Sequence, residues 1–271
     1  MQNILLKNIN IDDWEYKLNE FVSLRKIDDR TFLSIGTGDK WKTNLPLWIR
    51  SLQLAFPEIN LRMESEDAVN QSVIDAFTGL IINYYAKTEY NFNIDTVEID
   101  INQDDVNHLI SVNSLIIDFN KKSKYMTESG NWEPNRWIYA YNQYLDACKS
   151  PSIETSILNL VTALESLLVR GSGEISYRVS LFSSLVFSDI YEDRKETFDL
   201  VRKMYNIRSK VVHGEINEVI KMLSSDDIYD KYFRLKETCA DILIKLYNID
   251  ETVIFEKIYD ALISCPEFSI E

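Results

Sequence analysis

No proline interrupts the chain from Asp193 to Val212. Across it Phe198, Val201, Met204, Tyr205, Val211 and Val212 recur at three- and four-residue intervals. That spacing predicts a helix with one apolar face. Gly214 follows directly and suits the left-handed position that ends a helix, so the helix should stop at about His213. The rest of the sequence obeys the same constraint. Seven glycines and five prolines in 271 residues are too few for a loop-rich or all-β chain. The expected fold class is mainly α.

In chain order, residues 2–9 read as a short apolar strand or the lead-in to a helix. Trp14, Leu18, Phe21 and Val22 have helical spacing and predict a helix over Trp14–Val22. Thr31–Ile35 reads as a strand, followed by a tight turn at Gly36-Thr37-Gly38-Asp39. The Gly-x-Gly there lacks the Gly-Lys-Ser/Thr that a nucleotide loop needs. Pro46 is placed to open a helix over Leu47–Phe56, with Pro57 closing it. Glu64–Tyr85 carries a broad apolar stripe and predicts a long helix. Asn91–Ile101 alternates with period two and reads as a strand, polar enough to be an edge strand or a loop. Asp104–Phe119 reads as a helix, with His108 on its surface or half-buried.

The stretch from Lys121 to Pro134 is polar, carries Lys121, Lys122 and Lys124, and reads as a linker. It separates an N-terminal region, residues 1–125, expected to be mostly helical with some β structure, from residues 131–271, which read as helices throughout. Trp137, Tyr141, Tyr144 and Leu145 form the inner face of the first. Ser152 or Thr155 caps the second, which runs to about Arg170. Ile175–Phe187, Asp193–His213, Asp226–Tyr247 and Thr252–Ser264 follow. Glu165 breaks the apolar run from Leu160 to Val169, so it should be partly buried and need a cationic partner; Arg178 and Arg208 are the candidates.

A net charge of −14 makes the bulk surface repel nucleic acid and counts against a non-specific high-affinity binder, though not against an RNase whose cleft alone is basic. The sign reverses locally: Arg202, Lys203, Arg208 and Lys210 lie between Val201 and Gly214 with no acid among them. Cys148, Cys239 and Cys265 form no disulfide framework and no metal-binding spacing. They read as reduced thiols of a cytoplasmic protein. The opening residues lack the pattern of a signal peptide, and no window is apolar enough for a membrane span.

His213, one of two histidines, follows Arg208 by five residues. On an ideal helix that is about 140° around the axis and about 7.5 Å along it. Imidazole moves protons near neutral pH, and guanidinium offers a planar fork to phosphoryl oxygens. RNA supplies its own nucleophile, the 2′-hydroxyl. Basic residues in a last turn also simply favour the helix dipole, by about 0.3–1 kcal/mol each.

Arg208-Ser-Lys-Val-Val-His213-Gly214 resembles the Arg-x4–6-His motif of the HEPN superfamily. Ala163-Leu-Glu-Ser-Leu-Leu168, Glu174-Ile-Ser-Tyr-Arg-Val-Ser-Leu181 and Leu200-Val-Arg-Lys-Met-Tyr205 are similar to the Apea-like branch in order and spacing. The resemblance spans about Asn131 to Tyr247. It implies an antiparallel helical bundle that is usually a homodimer through the motif helix. It implies a metal- and cofactor-independent endoribonuclease in phage defence, abortive infection or toxin–antitoxin systems, the last with an antitoxin or regulatory protein as partner. By that resemblance Arg208 and His213 are catalytic, and Ser209 and Glu165 orient them. Many catalytic members carry Asn or another polar residue directly after the Arg; this chain has Ser209, which is polar but shorter than Asn. Lys210, Arg202, Lys203 and Arg178 are the expected RNA contacts, and no metal ligands are expected. The alternative is a non-catalytic HEPN module that binds RNA, a nucleotide or a protein through the same helix. Residues 1–125, which carry no catalytic motif, are expected by family analogy to serve as a sensor or target-recognition unit.

Overall fold

The computed structural model describes residues 2–6, 9–36, 41–57, 63–65, 99–129, 135–150 and 152–263. The chain is mainly helical and divides into two compact units, residues 1–133 and 134–271.

In the first unit, β1 (Gln2–Leu6), β3 (Glu15–Lys17), β4 (Val22–Ile27), β5 (Arg30–Ile35) and β6 (Met63–Ser65) form an antiparallel sheet in the order β3-β4-β5-β1-β6. β2 (Ile9–Ile11) pairs in parallel with β7 (Ile99–Ile101). The β4–β5 hairpin turns through Asp28 and Asp29, both left-handed at φ 48° and 59°. Asp tolerates that region, and two such residues in a row make the turn that follows the natural strand twist. α1 (Trp41–Ala55) packs against α2 (Gln103–Ser129). The Ser51 hydroxyl of α1 donates to Asn113 Oδ1 of α2 at 3.1 Å, and both residues are buried.

Several expectations for this unit fail, each for a local reason. The helix expected over Trp14–Val22 is β3, a turn and the start of β4. Leu18 and Val22 are both buried because the turn brings them together, with the Leu18 N–H donating to the Val22 carbonyl at 2.9 Å. Asn19 Oδ1 closes that turn by accepting the N–H groups of Phe21 and Val22. Trp14 and Phe21 are exposed, so half the supposed apolar face is in solvent. Pro46 does not open α1, which starts five residues earlier; the helix runs through it with one donor missing. Glu64 and Ser65 belong to strand β6 rather than a helix start, and the remainder of the Glu64–Tyr85 stripe lies outside the described residues. So does the Asn91–Ile101 stretch before Ile99, and the Gly36–Asp39 turn beyond Gly36. α2 is longer than expected: residues 121–129 continue the helix, where Lys122 pairs with Asp118 one turn back at 2.7 Å. Only the end of the expected linker meets the boundary between units. His108 is exposed on α2.

The second unit is helical: α3 (Arg136–Lys149), α4 (Ile153–Leu168), α5 (Ile175–Phe187), α6 (Tyr191–Val212), α7 (Ile216–Leu223), α8 (Ile228–Leu246) and α9 (Glu251–Ile263). α4 touches α3, α5, α6 and α8 and forms the centre of the packing. Caps follow the sequence signals. Asn135 Oδ1 accepts from the N–H groups of Trp137 and Ile138, and Ser152 Oγ from that of Thr155. Trp137, Tyr141, Tyr144 and Leu145 are buried. Trp137 stacks on Tyr141 and donates its indole N–H to the Leu243 carbonyl at 2.8 Å, tying α3 to α8. Glu251 ties α9 to the bundle, accepting Arg136 at 2.7 Å and Arg170 at 2.8 Å. Cys148 and Cys239 are free thiols, both pushed up in pKa by burial. Among the described residues no helix is long and apolar enough to cross a membrane.

Candidate functional site

The site rests on how α6 ends. Its buried residues are Thr197, Leu200, Val201, Met204 and Ile207. This stripe is rotated from the one drawn on the sequence: Ile207 is inside, while Val212 is exposed. Gly214 takes φ 72°, its N–H donates to the Val211 carbonyl at 3.1 Å, and the Glu215 N–H donates to the Lys210 carbonyl at 2.9 Å. These two bonds are the 5→2 and 6→1 pair of a Schellman motif. They fix His213 as the C-cap residue at φ −84°, ψ 0°. Lys210 Nζ grips Glu215 Oε2 at 2.5 Å, which raises the Lys210 pKa and braces the same corner.

Arg208 faces α4. Its Nη2 lies 3.4 Å from Glu165 Oε2, and each side chain keeps about a quarter of its surface in solvent (24% and 26%). Its guanidinium also lies over the Tyr205 ring, 5.5 Å from the centroid. Burial, and then the Glu165 charge, push the Tyr205 phenol up. Arg208 Nε and Glu165 Oε2 are buried without a hydrogen bond. The pair is an electrostatic contact with donor and acceptor capacity left over. Of the two partners open to Glu165, the structure uses Arg208. Arg178 lies instead over the Phe182 ring at 5.8 Å.

His213 is exposed, and its imidazole makes no hydrogen bond among the described residues. At about 100° per residue it falls on the same face of α6 as Arg202, Asn206 and Ser209, and away from Arg208. An open groove of about 580 Å³ lies along that face. It is lined by Ser176 of α5 and by Asp199, Arg202, Lys203, Asn206 and Ser209 of α6, with Tyr205. Arg202 leans over Phe198 at 5.9 Å, and Phe198 meets Tyr177 edge-on at 5.7 Å, so aromatics and a cation gather beside the groove. Lys203 reaches Asp227 at 3.3 Å, where Lys231 and Ser225 also bind and hold that carboxyl well below its usual range.

The structure thus divides the residues singled out in the sequence. Arg208 and Glu165 form one cluster; Arg202, Lys203 and Ser209 share the groove; His213 stands on the groove face beyond it. Lys210 braces the helix end, and Arg178 lines neither cluster. Asp199, Asn206 and Ser176 were missed, because exposed polar residues on an amphipathic helix carry no signal of their own. Among the described residues no group of three or more His, Cys, Asp or Glu could hold a metal ion. Comparison of the chain with protein-family models, with curated proteins and with solved structures yields no match.

Proposed function

We propose that the second unit is a HEPN-type endoribonuclease that cuts RNA by attack of a 2′-hydroxyl on the adjacent phosphodiester. The observation that carries this reading is the exposed His213, its backbone fixed at the end of the helix that also carries Arg208. The 2′-oxygen bonds to phosphorus as its proton leaves, the bond to the 5′-oxygen breaks, and that oxygen takes up a proton. His213 is the proton carrier. Arg208, held by Glu165, faces the charge that develops on the phosphoryl oxygens, a kind of stabilisation that contributes several kcal/mol in a partly dry site. Ser209 supplies a hydroxyl donor. The products are a 2′,3′-cyclic phosphate and a 5′-hydroxyl.

Arg208 and His213 of one chain point about 140° apart around α6. A second copy meeting the first across this helix end would complete the site, and a homodimer is part of the proposal. Val212 at the end of α6 and Ile216 and Ile220 of α7, at 54%, 68% and 62% exposure, leave apolar side chains open to such a contact. The setting proposed is phage defence or a toxin–antitoxin pair, with an antitoxin or regulatory protein as further partner, in the cytoplasm.

Incubating total RNA with the protein in EDTA tests the reading. Wild type should cut, and His213→Ala and Arg208→Ala should each lose at least about 100-fold, as expected for removal of an acid–base or oxyanion group. Equal cutting by wild type and His213→Ala would defeat it. The Arg208–Glu165 pairing favours one second reading, a binding module whose guanidinium serves structure. In that case the His213 variant changes binding alone, and overexpression does not arrest growth.

A further inference from the structure

We infer that the groove on α6 seats single-stranded RNA on its way to His213 and that Asp199 selects a base bearing an exocyclic amino group there. The inference rests on the ribonuclease reading for its ligand class and on the groove's own chemistry for the rest.

Three observations combine. First, the groove and the imidazole are collinear. Arg202, Asn206, Ser209 and His213 are spaced by four, three and four residues, which keeps them on one helix face over about 16 Å. The guanidinium of Arg208 is not on this face. A strand that lies in the groove therefore continues directly to His213.

Second, the groove presents groups with unspent hydrogen-bonding capacity. The side chains of Asp199, Asn206 and Ser209 make no hydrogen bond or ion pair among the described residues, and Arg202 contacts only the Phe198 ring. Arg202 offers donors to a phosphate. Tyr177 does not line the groove but directly follows Ser176, which does; half exposed and edge-on to Phe198, it offers a face for a base beside the groove. Such a pairing of a cation with an aromatic platform is how single strands are held without reading a duplex. A duplex needs contacts spread over successive grooves, and the surface around this helix face belongs to a chain of net charge −14.

Third, one acid sits among the cations. Asp199 is exposed and unpaired among the described residues, yet it lines the groove with Arg202 and Lys203. A carboxylate there repels phosphate and accepts hydrogen bonds from amino groups, as acids do from cytosine N4. Adenine, cytosine and guanine carry such a group; uracil presents carbonyl oxygens in its place. Asn206, one turn along the same face, can donate to the ring nitrogen or carbonyl beside the amino group.

The test uses the full chain carrying His213→Ala, so that binding is read without cleavage, and 5′-labelled RNA hexamers in fluorescence anisotropy. A6 and C6 should bind at least ten-fold tighter than U6. Asp199→Ala should bring all three within about two-fold of one another. Arg202→Ala should weaken all three alike and lower the slope of log K against log salt by about 0.7, the value for one single-strand phosphate contact. Both substitutions replace exposed helix residues, and unchanged circular dichroism confirms that the variants are folded. Equal binding of U6, an A6-to-U6 ratio that survives Asp199→Ala, a duplex that binds as tightly as A6, or no binding of any hexamer would each overturn the inference. Intact RNA in the cleavage assay would defeat the ribonuclease reading while leaving these ratios standing; equal hexamer affinities would defeat the groove assignment while leaving cleavage untouched.

Discussion

At the level of single residues, the contact that most constrains the site is Glu165 with Arg208. Each is half-buried, and each keeps a buried polar atom without a hydrogen bond. Removing the acid leaves the guanidinium to be solvated by the quarter of its surface that reaches water. Leaving a buried donor unmatched costs about 1–3 kcal/mol, and partial exposure puts this case near the lower end. Glu165→Ala should therefore lower urea stability by about 1 kcal/mol, with Glu165→Gln losing less because the amide oxygen still accepts. Equal stability of both variants and wild type would show that the pair contributes nothing. Glu165 was legible in the sequence because a charge inside the run from Leu160 to Val169 demands a partner. Arg208 and His213 were legible through their spacing before a glycine. Asp199 was not, since an acid on the wet side of a helix is what any soluble helix carries. Its meaning comes from Ser176 and Arg202 facing the same groove, and Ser176 belongs to another element.

Among the elements, α6 and its terminating turn set the geometry. Gly214 holds φ 72°, and a Cβ there would meet nothing within 4 Å. Gly214→Ala therefore meets no clash, only the backbone cost of the left-handed region, about 1–2 kcal/mol. The variant should unfold at lower urea by that amount. If the Schellman turn is what positions His213, the variant should also lose RNA cleavage beyond what its folded fraction explains. Wild-type stability and activity together would remove the turn from the argument. The helices of the second unit were readable because each has an apolar stripe, and a glycine follows closely on α4 and α6. α7 was not: it has eight residues and starts two residues after the glycine taken as a stop. The sheet of the first unit was partly hidden for two reasons. Leu18 and Val22 imitate helical spacing while lying on a turn, and Asp28-Asp29 turns the β4–β5 hairpin without the glycine that usually marks one. Pro46 misled in the opposite sense, since a proline near the start of a helix is tolerated beyond its first position here.

For the whole molecule, two units with separate cores make a simple prediction. Residues 134–271 contain the buried Trp137, Tyr141, Leu160, Met204 and Leu243 and all of the proposed catalytic groups. A chain of that length buries enough surface to fold alone. Expressed by itself, the segment should give a helical circular dichroism spectrum and one cooperative thermal transition. A molten, non-cooperative product would mean that the first unit completes its core. The division near residue 133 falls at the end of the polar stretch after Lys121, much of which is helix, because a solvated lysine-rich surface and a linker share one composition. Finally, the imidazole at the tip of α6 is anchored through its backbone and left without a side-chain tether. Its ring can swivel, and ordering a free side chain costs about 0.5–1.5 kcal/mol. On the proposed ribonuclease reading, a nucleotide or a second subunit settling against that tip would supply that ordering, and a bare chain should cut up to about ten-fold more slowly than a covered one.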